Sequence, residues 1–407
     1  REKGRFVIGK ESTASESCHK PPFSMANITL FAQVIRLIPR EIIQRLVKKH
    51  GTDKHAKGFN SWSHLVTMIF SQFSGSVSLR QISEGLQSAT GNLNHLGLSR
   101  APSKSNISYQ NANRTSQFFE DVFYALFQYL GQHGGLKQMK KRLKAKVCLL
   151  DSTLMSLCLE MYDWALYTHT KGAVKMHTVL DFETLLPEFV CITNGKGADN
   201  TIAKKLHFAR GTIVVADRIY SDTELLNHWD STGVVFIVRG KDNIQFESIR
   251  ERDLPDTTSQ EILIDEEVRL TGVETASKYP KKIRRIGIYN VQGGYTIDLY
   301  TNDFTHAAST IAALYRSRWK IEIFFRNLKQ NLHIKSFLGT SQNAVEIQIW
   351  TALITILLLQ YLKRIAKYPW SLSNLTASLR LNTFTKIDLF QWINEPFPPP
   401  PDEPEIA

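Results

Sequence analysis

The chain has 407 residues, 43% hydrophobic and 22% charged, the balance of a soluble globular protein with room for two or three domains. Its formal net charge of +12 and pI near 9.4 point to a polyanionic partner. Four cysteines (Cys18, Cys148, Cys158 and Cys191) form neither a CxxC pair nor a Cys/His ligand spacing, which argues against a zinc site and for reduced thiols in a cytoplasmic setting.

Residues 1–24 are polar and aperiodic, and are expected to form a disordered leader, either native or upstream read-through. Met25 opens the patterned chain. Phe31, Val34, Ile35 and Ile38, then Ile42, Ile43, Leu46 and Val47, recur at helical spacing on either side of Pro39. Trp62–Phe73 reads as a second, amphipathic helix, and Ser78-Leu79-Arg80-Gln81 as a capping box opening a short helix over Leu79–Leu86. A longer helix is expected over Asn106–Leu130. Lys54, Lys57, Arg80, Arg100, Lys104 and Arg114 lie among these helices, so residues 25–136 read as a small all-α N-terminal domain with a DNA-binding role; a module that only packs or dimerises is the bland alternative. Between residues 137 and 146 lie six cations and no acid, a connector suited to phosphate contact.

From Val147 the texture becomes β-prone. Strands are expected at Val147–Leu159, Lys175–Asp181, Glu188–Thr193, Thr212–Ala216 and Val234–Val238, with helices at Thr201–Phe208 and Ser221–Trp229. This is an α/β pattern, and residues 137–239 read as the first part of a catalytic domain. Residues 240–301 interrupt it as a β-rich insertion, with strands at Glu261–Leu270, Ile283–Val291 and Tyr295–Tyr300. Its second half, from Lys278 to Arg285, holds five cations and reads either as a DNA-facing edge or as a solvated rim. A long helix from Ala307 to about Leu332 belongs to the remainder of the catalytic domain, residues 302–340. A helical region follows at 341–394, then a Pro-rich tail at 395–407. The apolar run Ile347–Leu362 is too short and too interrupted to span a bilayer and reads as a buried helix.

Three carboxylates stand out. Asp151 is a charge inside the apolar strand Leu149-Leu150-Asp151, and Asp217 follows Ile213–Ala216 at a strand's C-terminal end, where α/β sheets bind ligands. Glu322 sits in a helical stripe with Tyr315, Arg318 and Lys329, at offsets of −7, −4 and +7. Taken singly, each acid could be an ordinary paired or capping residue, and an exposed Arg318/Glu322 pair is worth only ~0.3–0.5 kcal/mol. Together they are hard oxygen ligands suited to Mg²⁺ or Mn²⁺, and two such ions promote in-line phosphoryl displacement. No GxSxG elbow or P-loop occurs, so neither a serine hydrolase nor use of a nucleotide cofactor is expected.

The Tyr-x2-Arg-x3-Glu-x6-Lys signature at Tyr315, Arg318, Glu322 and Lys329, with LLDST around Asp151 and VVADRIYSD around Asp217, resembles transposases of the insertion-sequence-four family, from about Met25 through residue 390. The resemblance implies an RNase H-like catalytic core interrupted by the β-rich insertion. It implies that Asp151, Asp217 and Glu322 bind two Mg²⁺ ions (Mn²⁺ as substitute). It further implies cut-and-paste transposition on double-stranded DNA, with terminal inverted repeats held by a homodimer on paired ends, away from any membrane and associated with the nucleoid. Tyr315, Arg318 and Lys329 would contact DNA near the cleaved end, joined by Trp319 and Arg326 on the same helix. Some relatives stack a tryptophan of the insertion on a flipped base during hairpin formation. Residues 240–301 contain no Trp, so Tyr279, Tyr289 or Tyr295 would have to serve, and hairpin chemistry stays open. The alternatives are a catalytically silent, transposase-derived DNA-binding regulator and a general RNase H-like nuclease.

Overall fold

The computed structural model of the protein describes residues 27–89, 91–132, 145–157, 161–165, 167, 172–254, 261–290, 293–332 and 337–397. The expected leader, most of the basic connector and the end of the Pro-rich tail lie outside these residues.

A single nine-stranded sheet organises the molecule, in the order β3-β2-β1-β4-β5-β9-β8-β7-β6. Its strands are β1 (Val147–Leu157), β2 (Gly172–Asp181), β3 (Pro187–Asn194), β4 (Ile213–Ala216), β5 (Val235–Arg239), β6 (Phe246–Glu251), β7 (Ile262–Leu270), β8 (Ile283–Asn290) and β9 (Tyr295–Thr301). β1, β2 and β3 are antiparallel neighbours, β1, β4 and β5 are parallel, and β6–β9 form an antiparallel meander. β9 pairs with β5, so the segment expected as an insertion extends the central sheet.

Alternation along the strands sorts their side chains onto two faces. Leu149, Met155, Ile213, Val215 and Ile237 face one core; Cys148, Leu150, Val214, Ala216, Phe236 and Val238 face the other. The second core is closed by α8 (Thr223–Ser231), whose Trp229 is 1% exposed, and by residues around the short helix α7 (Asp199–Ala203). The first is closed by α10 (Ala308–Arg316), α11 (Trp319–Asn331) and a helical body drawn from both ends of the chain.

That body comprises α1 (Leu30–Ile35), α2 (Arg40–His50), α3 (Ser61–Ser74), α4 (Leu79–Gln87), α5 (Lys104–Asn113) and α6 (Ser116–Gln132). It also includes α12 (Gln342–Ile365), α13 (Leu372–Leu381) and α14 (Leu389–Asn394). α12 is long and apolar enough to cross a membrane, but 83% of its most apolar window is buried inside the protein, where it packs on α3, α5 and α6. The N-terminal helices therefore share their core with the C-terminal ones.

Several expectations change here. α3 is buried on all sides from Ser61 to Phe73 rather than amphipathic, because the chain ends enclose it. The helix expected over 106–130 is two helices. It breaks at Arg114, whose backbone is extended and whose buried guanidinium donates to the carbonyls of Phe59 and Asn60. Arg114 is thus a packing residue and not a DNA contact. The Ser78 cap forms, accepting from the Gln81 amide at 3.2 Å, while the Gln81 side chain accepts from Val77 at 2.8 Å rather than from Ser78. The 201–208 helix contracts to α7.

The acidic and basic runs of residues 261–285 neutralise each other across the β7–β8 ladder. Glu266 stands opposite Arg285 and Glu267 opposite Arg284. Lys278, Lys281, Lys282, Arg284 and Arg285 are paired to Glu274, Asp230, Glu267, Asp265 and Glu266 respectively. The basic run is accordingly an intramolecular charge ladder rather than a free DNA-facing edge. Arg284, 1% exposed, meets Asp265 through two bonds of 2.7 Å and donates to the carbonyls of Asp303 and His306 at 2.9 and 2.7 Å. It therefore ties the meander to the chain entering α10.

Candidate active site

The parallel register places two of the acids. Leu150 pairs with Ala216, and Ala216 with Val238. One residue further along lie Asp151, Asp217 and Arg239, a row at the C-terminal edge of β1, β4 and β5. By alternation, Asp151 and Asp217 lie on the face covered by α10 and α11.

The third acid arrives on α11. The expected single helix is divided, since Arg318, Lys320 and Ile321 donate to carbonyls three residues back instead of four. The Ser317 hydroxyl also donates to the Leu314 carbonyl at 2.5 Å, a side-chain bond that bends helices. The tightened turn leaves Tyr315 ending α10 and Arg318 leading α11. Arg318 donates from Nη1 to Asp151 Oδ2 at 3.1 Å and from Nη2 to Glu322 Oε1 at 2.5 Å. One guanidinium therefore ties together acids 171 residues apart in sequence, at side-chain exposures of 16% for Asp151 and 31% for Glu322.

The electrostatics join all three acids. Burial pushes the Asp151 carboxyl up to about 6; the Ser152 amide and Arg318 pull it down, while Asp217 and Glu322 push it further up. Burial works against the Arg318 charge, yet Asp151, Tyr315, Glu322 and Asp217 hold it above its ordinary value. Burial raises the Tyr315 hydroxyl, which also feels Arg318, Asp217 and Arg239. Among the described residues Asp217 makes no ion pair, and its neighbour Arg218 reaches instead toward Asp242, at 4.0 Å. No three acid, imidazole or thiol groups among the described residues are gathered tightly enough to cage a metal. Uncompensated carboxylates repel each other, and here the intervening cation is an arginine. An all-carboxylate donor set, with one member raised first by burial and further by its fellows, is nonetheless the chemistry of a hard divalent cation.

A cavity of about 490 Å³ opens beside Asp151 and Glu322, lined by Ser152, Thr153, Phe325, Arg326, Lys329 and Gln330. Lys329 donates to the Leu154 carbonyl at 2.7 Å, so its ammonium is anchored to β1 at the cavity wall. Trp319 is 51% exposed, which excludes a core role, and the exposed Arg326 lies over its ring at 5.7 Å. Of the three tyrosines considered for stacking, Tyr279 is 1% exposed and unable to meet a base; Tyr289 and Tyr295 are 40% and 46% exposed. Tyr295 carries the Arg239 guanidinium over its ring at 5.8 Å. Arg239 was missed in the sequence. Only the strand register, which lines it up with Asp217, could have found it.

The sequence matches the family described as Transposase DDE domain over residues 142–358, just over half of the chain. Residues 26–99 match a domain of unknown function (DUF4372). The chain is 30% identical over 267 residues to Sinorhizobium fredii y4zB, named as a transposase, covering 65% of this chain and 73% of that protein. It is 32% identical over 214 residues to a Geobacillus stearothermophilus protein named as transposase for insertion sequence element IS5377, covering 53% and 56%. A Synechocystis protein named as transposase for element IS4SA is 22% identical over 294 residues, covering 72% and 81%. A solved piggyBac transposase synaptic complex with hairpin DNA aligns over 88% of this chain and 81% of that one, at 9% identity and a TM-score of 0.45, a likeness too loose to establish a common fold.

Proposed function

The chain belongs to the transposases that carry the DDE domain, and from that premise we propose that it moves a bacterial insertion sequence by cutting and rejoining DNA at one metal-assisted site. The observation that carries this reading is the Arg318 guanidinium bridging Asp151 and Glu322 while Asp217 acts on the same groups. A strand order of β3-β2-β1-β4-β5, antiparallel then parallel, supports an RNase H-like core.

Asp151, Asp217 and Glu322 would hold the divalent ions, two Mg²⁺ with Mn²⁺ as substitute. Bound there, such ions would supply Lewis-acid activation of a water or 3′-hydroxyl and charge compensation for the leaving oxygen. The remaining work falls to the chain's own side chains. Asp151, poised near neutrality by burial, gains full charge once a cation compensates its neighbours. Arg318 and Lys329 supply positive charge to the phosphates flanking the scissile bond, and Arg326 and Trp319 meet the DNA end on the open side of α11. Tyr315, with Arg318 over its ring at 6.0 Å and in the field of Asp217, would use its hydroxyl to orient a phosphate oxygen. Tyr295 or Tyr289 would carry a displaced base if the reaction passes through a hairpin. The exposed Lys54, Lys57 and Arg100 in the connections between the N-terminal helices, with Arg80 on α4 and Lys104 on α5, would hold DNA away from the site. A homodimer on paired inverted repeats, working at the nucleoid, completes the proposal.

The test is incubation with candidate terminal-repeat DNA and Mg²⁺, read on a denaturing gel. Strand nicks at the repeat boundary that disappear with chelator support the reading. Tight, specific DNA binding with no strand cut in Mg²⁺ or Mn²⁺ would instead indicate a silent regulator.

A further inference from the structure

On the sheet face opposite Asp151 lies a buried polar cluster that the catalytic reading leaves unused. Asp199 opens α7 with its side chain 5% exposed. Its carboxylate meets Lys175 Nζ at 3.0 Å and His177 Nδ1 at 3.2 Å, from side chains 12% and 1% exposed. Lys175 also donates to the Gly197 carbonyl at 2.9 Å, and His177 Nε2 meets Thr193 Oγ1 at 3.1 Å. Lys175 and His177 alternate along β2 and so share a face, and the ladder sets Ser152 directly opposite His177. The Ser152 side chain accordingly faces the same cluster, and His177, Ser152 and Lys175 together hold the Asp199 carboxylate far below its ordinary pKa against the cost of burial. Tyr220, 1% exposed and three residues beyond Asp217, has a buried hydroxyl with no hydrogen-bond partner among the described residues, its pKa raised first by burial and then by Asp199 and Asp151.

Two features give this cluster a meaning beyond stability. Buried ion pairs are weak contributors to stability, since desolvation offsets most of their attraction. This one stands directly behind the residue that holds the first acid, because the Ser152 amide donates to Asp151 Oδ1 at 2.8 Å. The helix α7 that Asp199 opens also packs against the 218–220 turn that follows Asp217. The Ser152 side chain thus lies on one face of the sheet while its amide fixes Asp151 on the other.

We propose that Asp199 is a positioning residue of the strand-cutting site, acting through the Ser152 hydroxyl to hold the Asp151 carboxylate and through Tyr220 to hold the chain leaving Asp217. The inference rests on the assignment of Asp151 and Asp217 to that site. Its experiment compares Ser152→Ala, Ser152→Thr, Asp199→Asn and the double variant Ser152→Ala/Asp199→Asn in the full-length protein, with Asp151→Asn in parallel. Loss of one orienting hydrogen bond is expected to lower the single-turnover cleavage rate of Ser152→Ala roughly tenfold. DNA-end affinity should stay at wild type, the thermal midpoint within about 2 °C of it, and Ser152→Thr should restore the rate. The double variant should cleave no more slowly than Asp199→Asn alone, because both changes break one chain of contacts. Wild-type cleavage by Ser152→Ala, no rescue by Ser152→Thr, or rate losses that multiply in the double variant would each overturn the proposal. Should Asp199→Asn fail to fold, the Ser152 pair decides the matter. Full cleavage by Asp151→Asn would instead remove the catalytic assignment itself, a different failure.

Discussion

Arg318→Ala tests the physical core of the site. In the folded protein one guanidinium compensates Asp151 and Glu322 and lies in the field of Asp217. Removing a partner from a fully buried ion pair costs ~3–5 kcal/mol; with side chains 15%, 16% and 31% exposed, water screens part of the loss, and about 2 kcal/mol is expected. At roughly 2.1 cal/mol/K of unfolding entropy per residue, that loss lowers the melting temperature of a 407-residue chain by about 2–3 °C. Asp151 already sits near pKa 6 with Arg318 in place and rises further without it, so proton uptake relieves part of the repulsion at neutral pH. The full effect should therefore appear at pH 8, in differential scanning fluorimetry without DNA. The same reasoning predicts that Mn²⁺ raises the melting temperature of Arg318→Ala more than that of wild type, since the ion no longer competes with an internal cation; binding at ten times its dissociation constant is worth about 1.4 kcal/mol. Cleavage by the variant should still fall, for want of a phosphate contact. An unchanged melting temperature at pH 8, with equal Mn²⁺ shifts in both proteins, would refute the idea that the acids repel and that Arg318 holds them.

Other consequences are independent of that pair. Burial, then the nearby Arg114, drive the His64 imidazole down to about 3, so it stays neutral when folded and takes a proton near 6.5 when unfolded. It makes no contribution to pH dependence above 6.5. Below that, stability falls by ~1.4 kcal/mol per pH unit, or about 2 kcal/mol by pH 5, and urea midpoints of His64→Gln should lose that slope. Arg284→Ala strips Asp265 of its buried partner and should cost ~3–5 kcal/mol by urea denaturation, whereas replacing both residues by apolar ones of similar volume should cost far less. Trp319→Ala should leave the fold intact, since the ring is half exposed, and weaken DNA-end binding by ~1–3 kcal/mol in fluorescence polarisation if a base stacks there.

Much of the sheet was legible because its central strands are short, nearly continuous apolar runs buried on both faces. β1, β4, β5, β7, β8 and β9 lie within a few residues of expectation. β6 was missed because FESIRE is a polar, largely exposed edge strand with no apolar signal. The breaks at Arg114 and Ser317 were hidden for a different reason. Neither contains Pro or Gly; Arg114 bonds to carbonyls more than fifty residues away, and Ser317 breaks its helix through a local side-chain bond to the Leu314 carbonyl that any helical serine could make or forgo. Asp151, Asp217 and Glu322 were conspicuous as charges in apolar or cationic settings. Arg239, Asp199 and Tyr220 were silent, because their meaning comes only from the register that sets them beside or behind those acids.

The most direct measurement of the central claim is strand cleavage by Asp151→Asn, Asp217→Asn and Glu322→Gln on terminal-repeat DNA in Mn²⁺, alongside each variant's affinity for that DNA. A single shared metal site predicts that all three lose cleavage to background while still binding the DNA end. Wild-type cleavage by any one of them would contradict it.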